Sequence, residues 1–195
     1  MQAPYEARMQ VVEADIISRC QQGDLHAFEV VYTQYEQQVY RYAYHLLGHR
    51  EDADDIKQET FLRAYQAIGK FRRDASLQTW LLRICGNLCR DKIRSWERRK
   101  VATTDLSTEL NQYAAPSESN PAYIVEKNHT TEMILSVLNG LPSLLKEAFI
   151  LHELEGFEYG EMATILECSS ASAKLRVFRA RQMLKERVHS LLKVR

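Results

Sequence analysis

Between Asp24 and Gly48, apolar side chains recur every three or four residues: Phe28, Val31, Tyr35, Val39, Tyr42 and Leu46. That period gathers them on one stripe of an α-helix and would scatter them over both faces of a strand. The segment therefore predicts a long amphipathic helix with its stripe turned inward. Asp24 can cap its first turn, and Gly48 can end it in the left-handed region that favours glycine.

The neighbouring segments follow the same logic. Glu13 to Gln22 is a short amphipathic stretch stopped by Gly23. A third helix is expected from about Glu51 to Ile68, closed by Gly69; its acidic first turn suits the positive end of the helix dipole. A loop, Lys70 to Ala75, precedes Ser76, which can cap a fourth helix reaching about Arg99. From Thr103 to Pro121 the chain turns rich in Ser, Thr, Asn, Ala and Pro without periodicity, the texture of a linker. Helix resumes at about Tyr123 to Asn139 and breaks at Gly140. Pro142 suits a first helical turn, and that helix runs to about Glu155. After a turn at Gly156 come a short helix, Tyr159 to Leu166, and a last one from about Ser170 to Leu192. With 7 glycines and 4 prolines in 195 residues, and alternating runs hard to find, the fold class is all-α. The expected architecture is two small helical domains, 1–100 and 129–195, joined by a flexible linker over 101–128.

Lys+Arg and Asp+Glu balance at 26 each, but the charges are sorted into blocks. Lys70 to Lys100 holds ten basic residues against three acidic ones, and Lys174 to Arg195 holds eight against one. Glu51 to Glu59 holds five acids and one lysine. A basic block can neutralise phosphates whatever the total charge. No apolar run approaches the roughly 18 residues that would span a bilayer, and Met1 to Val12 lacks the order of a signal peptide. Membrane insertion is not expected. Cys85 and Cys89 sit four apart, yet nothing completes a four-ligand zinc set, so Cys20, Cys85, Cys89 and Cys168 read as small buried residues. With no glycine-rich phosphate loop and no nucleophile elbow, neither a metal, a cofactor nor a catalytic residue is expected.

Two helices stand out. On the fourth, Arg83, Asn87, Arg90 and Arg94 fall at i, i+4, i+7 and i+11, a line along one face, while Leu77, Trp80, Leu81, Ile84 and Leu88 lie elsewhere. Arginine contacts phosphate or guanine, and asparagine can hydrogen-bond a base edge. On the last helix, Ala173, Val177, Ala180, Leu184, Val188 and Leu191 form an apolar stripe that leaves Ser172, Lys174, Arg176, Arg179 and Arg181 polar. A short helix, a tight turn and a basic helix make a helix-turn-helix, whose second helix enters the major groove by its first turns. A stand-alone helix-turn-helix regulator would account for this half alone.

Three segments together resemble bacterial sigma factors of the extracytoplasmic-function type (sigma-70 family, group 4), over about Asp15 to Leu192. They are Ala53 to Tyr65; Phe71-Arg72-Arg73-Asp74 with Thr79 to Ile84 and Asn87-Leu88; and Tyr159 to Ala163 through Phe178 to Arg181. The chain departs from the family where Ala171-Ser172-Ala173 replaces a usual Gly-Thr-Val, at Leu175, where a small polar residue is common, and at Gly160. The −35 sequence preference is therefore not carried over.

The resemblance implies an alternative sigma factor that binds core RNA polymerase and directs it to promoters. Asp54, Asp55, Gln58, Glu59 and Arg63 would grip the polymerase clamp helices, and the second domain would meet the flap. Phe71, Arg72, Arg73, Asp74, Arg83, Asn87, Arg90 and Arg94 would read and open the −10 element. Ser172, Lys174, Arg176, Phe178 and Arg179 would hold the −35 duplex. It also implies an anti-sigma partner and a bacterial cytoplasmic protein that such a partner can sequester at the membrane. The acidic linker would thread toward the RNA-exit path.

Overall fold

A computed structural model describes residues 14–104 and 138–193, and all regular structure among them is helical. The first unit holds α1 (14–21), α2 (Leu25–Leu47), α3 (Arg50–Ala67), a 3₁₀ turn at Ile68–Lys70, and α4 (Leu77–Thr104). The second holds α5 (Ser143–Phe149), a π-helical turn at Ile150–Leu154, α6 (Tyr159–Ile165) and α7 (Ser170–Lys193). Of the expected linker over 101–128, residues 101–104 belong to α4 and 105–128 lie outside the described residues, as does the expected helix over Tyr123 to Asn139 apart from its last two positions.

Local signals act as the residues dictate. Asp24 accepts from the Ala27 N–H at 3.2 Å and opens α2. Gly48, at φ 76°, returns its N–H to the Tyr44 carbonyl at 2.8 Å and closes it. The whole stripe from Phe28 to Leu46 is buried. The Ser76 hydroxyl accepts from Thr79 N at 3.1 Å and caps α4.

Three boundaries differ from expectation, one of them the end of α4, which reaches Thr104 where a stop near Arg99 is expected. Gly69 does not close α3 directly; it sits inside the 3₁₀ turn that follows Ala67, and the left-handed backbone falls at Arg73, at φ 61°. Polar contacts hold Arg73 there, as shown below, so a non-glycine residue takes the strained position. Pro142 is the N-cap of α5, not its first helical residue, with the extended ψ of 140° expected outside a helix.

The two units pack against each other. One buried cluster runs from Tyr42 and Leu46 of α2 through Cys85 and Cys89 of α4 to Ala148 and Leu151 of the second unit. The cysteines are free, and Cys20, Cys85 and Cys89 are buried. Among the described residues no group of three His, Cys, Asp or Glu side chains could hold a metal ion. No described helix is long and apolar enough to cross a membrane.

Candidate nucleic-acid interface

Alpha-3 presents one half-open face. Ala53, Ile56, Thr60, Phe61 and Ala64 pack inward, which leaves Asp55, Gln58, Leu62, Arg63 and Tyr65 exposed. Asp54 and Glu59 border that face. Asp54 takes the Lys57 amine at 2.6 Å and the Gln58 amide at 3.3 Å, and Glu59 takes Arg63 Nε at 2.7 Å. Leu62 and Tyr65, 52% and 43% exposed, put apolar area among these charges. A mixed apolar–charged helical face suits a protein partner better than a phosphate backbone.

The loop after α3 is built from α1. The Gln21 amide donates to the carbonyls of Ile68 at 3.2 Å and Phe71 at 2.9 Å. Arg73 in turn donates to Ser18 Oγ at 2.8 Å and to Gln21 Oε1 at 3.3 Å. Beside this strut lies an open cleft of about 280 Å³, lined by Ile17, Phe71, Arg73 and Ser76 among others. Arg72, Arg73 and Asp74 are exposed at the loop. Phe71 is not: it is buried, with its ring 4.8 Å from that of Trp80. Sequence reasoning placed Phe71 among the reading residues; in the fold its ring anchors the loop to α4, because burial against Trp80 outweighs exposure of an apolar ring. Ser18 and Gln21 were missed, since their roles depend on contacts about 50 residues away.

The line Arg83–Asn87–Arg90–Arg94 does share one face of α4, but its first three members meet the second unit. Arg83 Nε donates to Glu167 at 2.9 Å. Arg90 pairs with Glu147 and donates to Asn87 Oδ1. Arg94 alone turns to its own helix, pairing with Asp91. Tyr42, fully buried, donates its hydroxyl to the same Glu147 oxygen at 2.8 Å. Burial pushes the Glu147 carboxyl above its ordinary range, against the pull of Arg90 and Tyr42. The Arg83 pair holds the Glu167 carboxyl below its own.

In the second unit, α6 and α7 form the expected helix-turn-helix. Its turn carries Glu167 at φ 50°, and Ser169 Oγ accepts from Ser172 N at 3.1 Å to cap α7. A reciprocal capping box, Glu158 with Glu161, fixes the start of α6. On α7, Lys174, Phe178 and Arg179 are exposed while Ala173, Val177 and Ala180 are buried. Ser172 is half-buried. Arg176 is also half-buried and near enough to Glu147 to act on its charge. Of the five expected duplex contacts, Lys174, Phe178 and Arg179 are thus open, Ser172 is half-open, and Arg176 leans toward the interface between the units.

Residues 31–99 match the family model for sigma-70 region 2, and residues 131–184 match that for sigma-70 region 4. The chain is 28% identical over 187 residues to the ECF RNA polymerase sigma-E factor of Haemophilus influenzae, spanning 94% of this chain and 98% of that one. It is 27% identical over 185 residues to the RNA polymerase sigma-H factor of Pseudomonas aeruginosa, spanning 93% and 96%. Among solved structures it is similar to the sigma factor RpoE in complex with the anti-sigma factor NepR from Bartonella quintana. There the TM-score is 0.64 and the identity 26%, covering 86% of this chain and 97% of that chain.

Proposed function

The chain belongs to the extracytoplasmic-function branch of the sigma-70 family, and from that premise we propose how its residues divide the work of an alternative sigma factor. Such a protein binds core RNA polymerase and directs it to specific promoters. Its family acts in transcription initiation, and this chain supplies binding groups to polymerase without a reaction of its own. The observation that carries the reading is the order of the two matched regions on one chain, 31–99 and then 131–184, each containing a basic helix.

Residues 1–100 form the clamp-binding and −10 unit, 129–195 the −35 unit, and 101–128 the connection. The α3 face of Asp54, Asp55, Gln58, Glu59 and Arg63, with Leu62 and Tyr65 beside it, docks on the clamp helices. Arg72, Arg73 and Asp74 at the loop, with Arg83, Asn87, Arg90 and Arg94 on α4, engage the opened −10 strand. An unpaired base can be splayed into the cleft beside Arg73, at an unstacking cost of a few kcal/mol. Gln21 positions that loop through its two carbonyl contacts. Ser172, Lys174, Arg176, Phe178 and Arg179 hold the −35 duplex, and the second unit meets the flap. The protein works in the bacterial cytoplasm, where an anti-sigma partner holds it in reserve, at the membrane if that partner is anchored there.

Reconstituted transcription tests this. Core polymerase with the purified chain should initiate at promoters that core alone ignores, and start-site mapping should return shared −10 and −35 elements. If the chain shifts promoter duplex in gels equally well without core, and adds no new starts with it, it is a free-standing regulator instead.

A further inference from the structure

The last helix is apolar where it points straight away from its own core. In α7, Ala173, Val177 and Ala180 are fully buried, with α5 and α6 packed against the helix. At about 100° per residue, position 175 falls roughly opposite that stripe, with Ala171 and Gln182 on the same line. Ala171, Leu175 and Gln182 are all exposed. Leu175 is 47% exposed, and Phe178, one turn on, is 56% exposed. Residues three apart on a helix are neighbours, so these two side chains form one apolar crest. Exposed cations stand on its two flanks, Lys174 on one side and Arg179 on the other. The other arginines of this stretch are engaged elsewhere. Arg181 donates to Glu153 at 2.8 Å, and Arg176 is half-buried toward Glu147.

An apolar crest between two basic flanks matches the major groove of a duplex. The cations reach phosphates on either side, and the crest meets the base edges. What the crest can read follows from its chemistry. Leu175 neither donates nor accepts a hydrogen bond. Pressed on a guanine, an adenine or the cytosine amine, it would bury polar groups without partners. Thymine alone offers a methyl group in that groove. We infer that Leu175 selects thymine in the −35 duplex by covering its 5-methyl group, with Phe178 closing the contact on one side. This selection rests on the assignment of α7 to the −35 duplex. Leu175 stands where the family commonly carries a small polar residue, so the preference is this chain's own.

Deoxyuridine is thymidine without that methyl group, so it tests the contact directly. On a promoter recovered by start-site mapping, each thymine of the −35 element is replaced singly on either strand. The affinity of core polymerase carrying the full chain is then measured on each duplex. One position should lose about fourfold in affinity, the worth of one buried methyl group. With Leu175→Ala, binding should be weaker than with the parent, and thymidine and deoxyuridine at that position should bind alike. Alanine suits an exposed helical position, so α7 keeps its helix. A methyl effect that survives Leu175→Ala, no methyl effect at any position, or a −35 element without thymine would each overturn the inference. The double variant Lys174→Ala, Arg179→Ala separates that failure from failure of the −35 assignment. It should weaken protection of the −35 duplex whatever the bases, and protection equal to the parent's would remove α7 from the duplex and the thymine contact with it.

Discussion

Helix propensity and tertiary contact make opposite predictions for Gly86→Ala, which makes it a sharp probe of the interface. In a solvent-exposed helix interior this change stabilises by about 1 kcal/mol. Here the new methyl carbon falls 2.8 Å from the Glu147 carboxylate and 3.0 Å from the Tyr42 hydroxyl. Glu147 can yield only by lengthening hydrogen bonds it accepts from Tyr42 and Arg90, and it has no solvent to turn into. Hydrogen bonds to charged groups contribute about 1.5–3 kcal/mol each. Losing most of one outweighs the propensity gain, so the full chain should be destabilised by about 1–2 kcal/mol. In a Glu147→Ala background the methyl meets no carboxylate, and the same substitution should become stabilising by up to about 1 kcal/mol. Urea unfolding of the parent, both single variants and the double variant closes the cycle, with an expected coupling of about 2 kcal/mol. Stabilisation by Gly86→Ala in both backgrounds would refute the account, for it would mean the two units do not meet at Gly86 in solution.

Gln21→Ala removes both supports of the loop carbonyls, and should reduce promoter opening, read by permanganate reactivity of −10 thymines, while binding to core polymerase stays at parent level. Asn87→Ala should likewise slow opening with core binding intact; equal run-off transcription would remove Asn87 from the −10 contacts. His45 should make stability fall in mild acid. Burial lowers its pKa, its Nδ1 has no hydrogen-bond partner, and Glu155, Arg41 and Lys146 face it. The folded chain therefore binds its proton less readily than the unfolded chain. The contribution is complete above the unfolded value of about 6.5 and is lost as pH falls through the lower folded value. Urea midpoints between about pH 7 and pH 5 should fall less for His45→Gln than for the parent.

What sequence reasoning reaches here is what neighbours along the chain decide. Asp24, Gly48 and Ser76 act on residues three or four positions away, so the ends of α2 and the start of α4 are legible. The stripe from Phe28 to Leu46 is legible because one helix carries it. The helix-turn-helix is legible because α6 and α7 adjoin. Gly69 reads as the closing residue for the same local reason, but the chain passes into a 3₁₀ turn there, and Arg73, held by Ser18 and Gln21, takes the left-handed backbone. Phe71 belongs by sequence to the loop Lys70 to Ala75, and only the fold brings it under Trp80. Glu147 and Tyr42 are 105 residues apart, and nothing near either announces a partner. The arginine–asparagine line on α4 is legible as a face; that the same chain covers it is not.

The π turn at Ile150–Leu154 closes with the Glu155 N–H on the Ile150 carbonyl, 3.0 Å away and five residues back. Such a turn accommodates one residue more than an α-helix would. The extra residue is thereby absorbed within the turn. Deleting one residue from 151–154 would make the Glu155 N–H an ordinary α-helical donor to the same Ile150 carbonyl, so the helix would become regular while Glu155 keeps its side of the axis and its hold on Arg41.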